Sequence, residues 1–144
     1  MNSATELEIV GHLTQCDVHY RPKLSERVDL PAYGKKLFLR SQRFEMWEGA
    51  TLAGLAAVYF DDGENRYGYI SNISVLPEYN GRGIGLQLMH SVERFAADKG
   101  FEELILETGI DNTTALRLYE KCGFQVAEET SRMVHLRKRL VEHD

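Results

Sequence analysis

The chain has 144 residues, of which 43% are hydrophobic and 27% charged, a composition typical of a globular protein with a single buried core. Its formal charge of −5 argues against a broad nucleic-acid surface, because such a surface has to offset a dense row of phosphates. Two cysteines, Cys16 and Cys122, allow one bridge at most and show no zinc-binding spacing.

The start of the sequence lacks the cationic segment and uninterrupted apolar block of a signal peptide. The longest apolar stretch, Leu52 to Phe60, is too short to cross a bilayer. We therefore expect a soluble, cytoplasmic protein that binds neither a membrane nor a nucleic acid.

Two amphipathic helices are predicted near the start, because apolar residues recur at nearly helical spacing in Thr5 to Gln15 and again in Asp29 to Ser41. Between them, Tyr20 to Val28 contains a proline and mixed charges. We predict that this segment is an ordered loop.

The pattern then changes to that of strands. Phe44 to Trp47 and Leu52 to Phe60 are apolar runs separated by a short turn with Gly49, which indicates a hairpin. Tyr67 to Leu76 is rich in aromatic and β-branched residues and predicts a third strand, which Pro77 ends by removing a backbone donor.

A long amphipathic helix is predicted from Gly83 to Lys99, with Gly100 just beyond its end. Glu103 to Glu107 follows as a short buried strand. A strand, helix and strand in this order favour a right-handed crossover to a parallel neighbour.

The last predicted helix begins after a cap at Asp111 or Asn112 and ends at Gly123. Phe124 to Ala127 and Met133 to Leu140 complete the chain as strands. The elements together predict a mixed α/β fold, a sheet flanked by helices.

The segment Asn80-Gly81-Arg82-Gly83-Ile84-Gly85 joins the third strand to the long helix and holds three glycines. Glycines let backbone N–H groups converge on an anion, and the helix adds its positive end, so the pattern indicates a phosphate site as well as a tight turn. A P-loop is excluded, because Leu86 follows where lysine is required. A dinucleotide site stays open: its third glycine comes one residue early, but Glu107 lies where a ribose-binding acid is expected.

The glycine segment resembles the Gln/Arg-x-x-Gly-x-Gly/Ala loop of the GCN5-related N-acetyltransferases, and Asn112 to Phe124, NTTALRLYEKCGF, resembles their second signature. The resemblance covers about residues 43 to 140. The sequence departs from the family pattern at Asn80, where the family has Gln or Arg, and shows no clear strand before the first helix.

The resemblance implies one N-acetyltransferase domain over residues 1–144, in which residues 44–140 bind acetyl-CoA and the helical residues 1–43 shape the acceptor site. It also implies a central, mostly antiparallel sheet in which one parallel pair of strands splays apart. Cofactor contacts would fall at three places: Ile73, Ser74 and Val75 for the pantetheine and thioester; Asn80, Gly81, Arg82, Gly83, Ile84 and Gly85 for the pyrophosphate; and Asn112 beside the pantetheine.

Transfer of an acetyl group to an amine requires a neutral amine and a proton for the leaving thiolate. Tyr119 lies on the apolar face of its predicted helix, where most tyrosines pack, yet it occupies the signature position at which the family often has its general acid. Tyr69 stands where some members have a glutamate, so the base is left between Glu45, Glu107, water and no residue at all, of which water is favoured.

The expected acceptor is a small-molecule or peptide amine, acetyl-CoA is the co-substrate, and no metal is required. A homodimer is compatible with the resemblance. The alternative hypothesis is a non-catalytic module that binds acyl-CoA as a sensor.

Overall fold

A six-stranded sheet and four α-helices organise the residues that the computed structural model describes, 3–17 and 23–140. The helices are α1 (Glu6–Asp17), α2 (Leu30–Arg40), α3 (Ile84–Asp98) and α4 (Thr113–Lys121). The strands are β1 (Gln42–Glu48), β2 (Thr51–Asp61), β3 (Tyr67–Val75), β4 (Glu103–Gly109), β5 (Gln125–Glu129) and β6 (Met133–Arg139).

The sheet has the order β1-β2-β3-β4-β6-β5, and β3 and β4 form its parallel pair. Their register covers only Tyr67 to Tyr69 against Glu103 to Ile105. Every other neighbouring pair is antiparallel, and α3 is the crossover between the two parallel strands. The predicted mixed sheet with a splayed parallel pair is therefore confirmed.

Two apolar cores lie on opposite faces of the sheet. One joins α3 and α4 to the sheet and includes Leu88, Val92 and Leu104. The other packs α1 and α2 against β2 and includes Ile9, Leu13 and Leu55. Each core buries apolar area that stabilises the fold by about 25 cal/mol per Å², so the helical N-terminal segment is held to the sheet by its own core.

The predicted helices and strands agree with the structure to within about two residues, the usual uncertainty of element ends. β4 continues past Glu107 to Gly109. In the predicted loop Tyr20 to Val28, residues 24–26 form a 3-10 turn, whereas residues 20–22 lie outside the described residues. Among the described residues no strand precedes α1.

Local capping explains where the helices begin. The Asp29 carboxylate accepts from the Ala32 amide and begins α2, and the Asn112 side chain caps α4, so Asn112 rather than Asp111 is the cap. Gly83 begins α3 in the left-handed region, with φ of 76°. None of the helices within residues 3–17 and 23–140 combines the length and apolarity needed to cross a bilayer.

Candidate functional site

A cavity of about 400 Å³ lies where β3 and β4 separate. Both strands contribute the residues that come after their short parallel pairing. The other walls come from α2, α4 and the connection after α1. The described residues that line the cavity are Leu24, Arg27, Val28, Tyr33, Lys36, Tyr59, Tyr69, Ile70, Ser71, Asn72, Ile73, Leu106, Glu107, Thr108, Gly109, Asn112, Ala115 and Tyr119. This volume is within the range of small-ligand sites.

A bulge in β3 shapes one side of the cavity. Ala57 of β2 pairs with Asn72 and Val58 pairs with Ile70, so Ser71 has no partner position on β2. The Tyr33 hydroxyl lies 2.6 Å from Ser71 Oγ and donates to the Ser71 carbonyl at 3.0 Å. Bulges redirect side chains beside functional sites, and Tyr33 anchors α2 to this one.

α4 contributes Asn112 and Tyr119 to the opposite wall. Asn112 Oδ1 accepts from the Ala115 amide and its Nδ2 donates to Thr108 Oγ1, both at 3.3 Å. Tyr119 is 5% exposed, and its ring centroid lies 6.0 Å from that of Phe124. Tyr119 therefore belongs both to the core and to the cavity wall.

Glu107 on β4 brings a carboxylate to the cavity. Arg27 lies 3.7 Å from one of its oxygens, and His135 Nδ1 lies 3.3 Å from the other. The Tyr69 hydroxyl hydrogen bonds to the same carboxylate; burial first, and then the negative charge of Glu107, raise the pKa of Tyr69. The Glu107 carboxylate thus has hydrogen-bond donors in Tyr69 and His135 and a cation in Arg27.

Glu45, the other carboxylate considered for the base, is not among the residues that line the cavity. Its side chain is fully buried and accepts from the Ser3 and Ala4 amides, from Arg43 Nε at 3.0 Å and from Trp47 Nε1 at 3.0 Å. A carboxylate with four donors is a structural anchor, here one that ties the start of α1 to β1.

The glycine loop lies at the exposed start of α3. Gly81 and Gly83 have φ of 81° and 76°, and an added Cβ at either position would meet nothing within 4 Å. No side chain caps α3, and the first N–H groups of a helix have no acceptor within the helix. The loop therefore presents free backbone donors and the positive end of the helix dipole.

Gly85 packs between α4 and β3, two elements that also contribute residues to the cavity wall. A Cβ on Gly85 would come within 3.2 Å of Leu118 on α4 and 4.0 Å of Val75 on β3. Of the predicted cofactor residues, Ile73 and Asn112 line the cavity together with Tyr119, whereas Asn80 to Gly85 lie outside the cavity lining. Ile73, Asn112 and Tyr119 thus lie in the cavity wall and Asn80 to Gly85 in the glycine loop, and both places border α4 and β3.

Ser74 and Val75 are contacted by α1 instead. His12 is 3% exposed; its Nδ1 donates to the Leu52 carbonyl at 2.9 Å, and its Nε2 lies 2.8 Å from Ser74 Oγ. The Cys16 thiol donates to the Val75 carbonyl at 3.5 Å. Burial lowers the pKa of His12 and raises the pKa of Cys16 to about 11, so both groups are neutral near pH 7.

The sequence pattern did not mark His12, Tyr33 or Tyr59 as site residues. His12 occupies the buried stripe of α1 with Ile9, Leu13 and Cys16, and that position was the available signal. Within the described residues, no group of three or more His, Cys, Asp or Glu side chains is arranged to hold a metal ion.

Comparisons with known proteins bear on the family and the fold of the chain. Residues 10–124 match the model of the acetyltransferase (GNAT) family. The chain is 35% identical over 86 residues to the uncharacterized N-acetyltransferase YobR of Bacillus subtilis, covering 60% of this chain and 34% of that one. It is 31% identical over 99 residues to the aminoglycoside N(6')-acetyltransferase type 1 of Salmonella typhimurium, covering 61% of this chain and 66% of that one.

Among solved structures, the PaiA N-acetyltransferase of Thermoplasma acidophilum, in complex with coenzyme A, superposes with a TM-score of 0.75 at 15% identity. The match covers 93% of this chain and 92% of that one. At this level of identity the likeness concerns the fold.

Proposed function

The chain belongs to the acetyltransferase (GNAT) family, and from that premise we propose that it transfers an acetyl group from acetyl-CoA to a primary amine by direct attack in a ternary complex. The observation that carries the proposal is the cavity between β3 and β4, which has Tyr119 in one wall and Glu107 in another.

The loop suits the pyrophosphate of CoA. The amides of Arg82 to Gly85 lie at the uncapped start of α3, and the two left-handed glycines leave space where side chains would stand. Asn80 is shorter than the Gln or Arg of the family pattern. The donors that follow it are backbone amides, which do not depend on the side chain at position 80. Arg82 lies 4.9 Å from the centre of the Tyr79 ring, and its positive charge is close to the proposed phosphates.

The unpaired edge of β3 suits the acyl arm. Past Tyr69, β3 is no longer in register with β4, so the backbone of Ile73 to Val75 can hydrogen bond to the pantetheine and to the thioester oxygen. Asn112, which lines the cavity, lies beside that arm. Acetyl-CoA supplies the thioester, whose sulfur needs a proton as it leaves.

Tyr119 supplies that proton. Its side chain is nearly buried in the cavity wall, where bulk water is excluded and a positioned hydroxyl is the accessible donor. Packing against Phe124 at 6.0 Å between ring centroids fixes the ring, and that fixed ring directs the hydroxyl.

Glu107 accepts the proton of the acceptor ammonium, directly or through a water molecule. It lines the cavity with a side chain that is 28% exposed, whereas Glu45 is fully occupied by structural hydrogen bonds. Tyr69, whose hydroxyl hydrogen bonds to Glu107, cannot serve as the base, because its raised pKa keeps it protonated at neutral pH.

Residues 44–140 provide the acetyl-CoA site and residues 1–43 shape the acceptor side, since Arg27, Tyr33 and Lys36 line the cavity. The chain spans 34% and 66% of the lengths of the two curated relatives described above. The acceptor is a small-molecule or peptide amine.

The test combines binding and turnover. Thermal shift with CoA and acetyl-CoA measures cofactor binding through the rise in melting temperature, and thiol release in a panel of amines measures transfer. We expect Tyr119→Phe to bind CoA like the wild type while kcat falls by about 10²-fold or more. Tyr67→Phe, on β3 but outside the cavity lining, is the control for the loss of a tyrosine hydroxyl and should retain full activity.

Glu107→Gln should lower kcat/KM most strongly below neutral pH, where the acceptor amine is fully protonated. Unchanged kcat in Tyr119→Phe would remove the tyrosine from the mechanism. Wild-type protein that binds CoA but acetylates no amine would favour the sensor module instead.

A further inference from the structure

Two polar groups on the α2 side of the cavity have no hydrogen-bond or ion-pair partner among the described residues. The Tyr59 hydroxyl is buried without a hydrogen bond. The Lys36 ammonium lies 5.4 Å from the centre of the Tyr59 ring, and none of the ion pairs within residues 3–17 and 23–140 includes it. Both residues line the cavity, where Lys36 is exposed, so an ammonium lies close to the Tyr59 ring at its wall.

A buried hydroxyl without a partner has lost its hydrogen bonds to water and received none in return. Such groups are rare in native proteins and call for an explanation. A ligand oxygen bound between Tyr59 and Lys36 would accept from the hydroxyl and neutralise the ammonium, and it would satisfy both groups at once.

The other charges of the cavity restrict what that ligand can be. Among its described lining residues Glu107 is the acidic one, and Arg27 and Lys36 are the basic ones. Arg27 already faces Glu107 at 3.7 Å, and no carboxylate within residues 3–17 and 23–140 forms an ion pair with Lys36. A polycationic acceptor would be repelled here, and a simple alkylamine would leave the Tyr59 hydroxyl without an acceptor.

We propose that the acceptor carries an anionic oxygen group, a carboxylate or a phosphate, in addition to its amine, and that Lys36 and Tyr59 bind this group. The amine then faces Glu107 at the gap between β3 and β4, and the anionic group lies against α2. The inference rests on the proposed function, because it concerns the acceptor of the same reaction.

The test compares acceptors that differ only in the anionic group. Glycine, β-alanine, 4-aminobutanoate and 6-aminohexanoate are each paired with their methyl esters, and 2-aminoethyl phosphate is paired with ethanolamine. We expect a KM at least about tenfold lower for the anionic member of the best pair. The amino acid series distinguishes a carboxylate from a phosphate and shows which separation of amine and anion fits the cavity.

Three substitutions assign the effect to the two residues. Lys36→Met should raise the KM for the anionic acceptor by about tenfold with little change in kcat, and Lys36→Arg should restore most of the affinity. Tyr59→Phe should raise the same KM by about threefold or more. Lys35→Met is the matched control, since Lys35 is a neighbour on α2 that is exposed like Lys36 but does not line the cavity, and it should leave KM unchanged.

Equal KM values within every pair, a preference for polyamines, or the same change in Lys35→Met as in Lys36→Met would overturn the proposal. Calorimetry with the same amines in the presence of CoA measures acceptor binding without turnover, so it tests the acceptor class separately from the proposed acetyl transfer. Binding that requires the anion and is lost in Lys36→Met supports the acceptor class even where no thiol is released. Absence of such binding contradicts the acceptor class whether or not CoA binds.

Discussion

Replacing His12 with alanine tests the buried network that joins α1 to the sheet. The imidazole is 3% exposed, donates to the Leu52 carbonyl at 2.9 Å and lies 2.8 Å from Ser74 Oγ. Ser74 keeps a second partner, because its hydroxyl donates to Asn72 Oδ1 at 2.9 Å. The Leu52 carbonyl would lose the ring that now covers and binds it, so the main loss falls there.

The expected loss of stability follows from the unsatisfied Leu52 carbonyl and from the space that the ring leaves. A buried polar group left unsatisfied costs about 1–3 kcal/mol, and the space left by the ring adds a cavity term. We therefore expect His12→Ala to lower the free energy of unfolding by roughly 2–4 kcal/mol near pH 7.5. For a domain of this size that corresponds to a melting temperature lower by roughly 6–12 °C.

The pH dependence of the free energy of unfolding identifies His12 more specifically than the loss of stability at one pH. Burial lowers the pKa of His12 below its ordinary 6.5, so the unfolded chain takes up a proton at a pH where the folded protein does not. The unfolded state then binds more protons, and wild-type stability falls as the pH drops below about 6.5, until the lower pKa of the folded state is passed. A pKa lower by one pH unit in the folded state corresponds to about 1.4 kcal/mol of stability lost in this way.

His12→Ala lacks this titration, so the stability difference between wild type and variant should shrink from pH 7.5 to pH 5. Urea unfolding followed by Trp47 fluorescence at several pH values measures that difference. His90→Ala, at an exposed histidine of α3, is the control and should change stability little at either pH. A difference that is constant with pH, or as small as that of the control, would refute the reasoning.

Four further substitutions, each measured by urea unfolding, test local features of the fold. Gly83→Ala should lower stability by about 1–2 kcal/mol, because its φ of 76° is strained for a residue with a Cβ. Gly11→Ala should raise it by about 0.5–1 kcal/mol, since an added Cβ within α1 meets nothing within 4 Å. Arg66→Ala should lower it by about 1–2 kcal/mol through loss of two bonds, at 3.0 and 2.7 Å, to carbonyls after α3. Lys138→Met should lower it by about 1–2 kcal/mol, because it leaves the mostly buried carboxylate of Glu93, now 2.7 Å from the ammonium, without its cation. A stabilised Gly83→Ala, or no change in either of the last two, would contradict these interpretations.

Signals that lie within a few residues of one another predicted most of the elements. Gly83, Asn112 and Gly123 mark helix ends through their own backbone or side chains, and the structure has a left-handed Gly83, a capping Asn112 and a left-handed Gly123 at those ends. The choice between Asp111 and Asn112 needed the structure, because both residue types cap equally well.

The acceptor side of the cavity could not be predicted in the same way. Arg27, Lys36 and Tyr59 line one cavity only because α2 and the segment before it pack on the sheet, and no spacing within the sequence encodes that packing. His12 was equally hidden: its partners Leu52 and Ser74 lie 40 and 62 residues away. In a single sequence, a histidine in an apolar stripe looks the same whether it is packed or hydrogen bonded.

The long-range contacts share one physical cause, the open edge of β3. Past Tyr69 the strand has lost β4 as a neighbour, and a strand end held on one side alone is prone to local opening. Tyr33 bonds to its bulge, His12 lies against Ser74, and the Cys16 thiol donates to the Val75 carbonyl. Side chains of α1 and α2 therefore restrain the part of β3 that has no hydrogen bonds to β4. The gap between β3 and β4 can stay open because these side chains hold the strand in place.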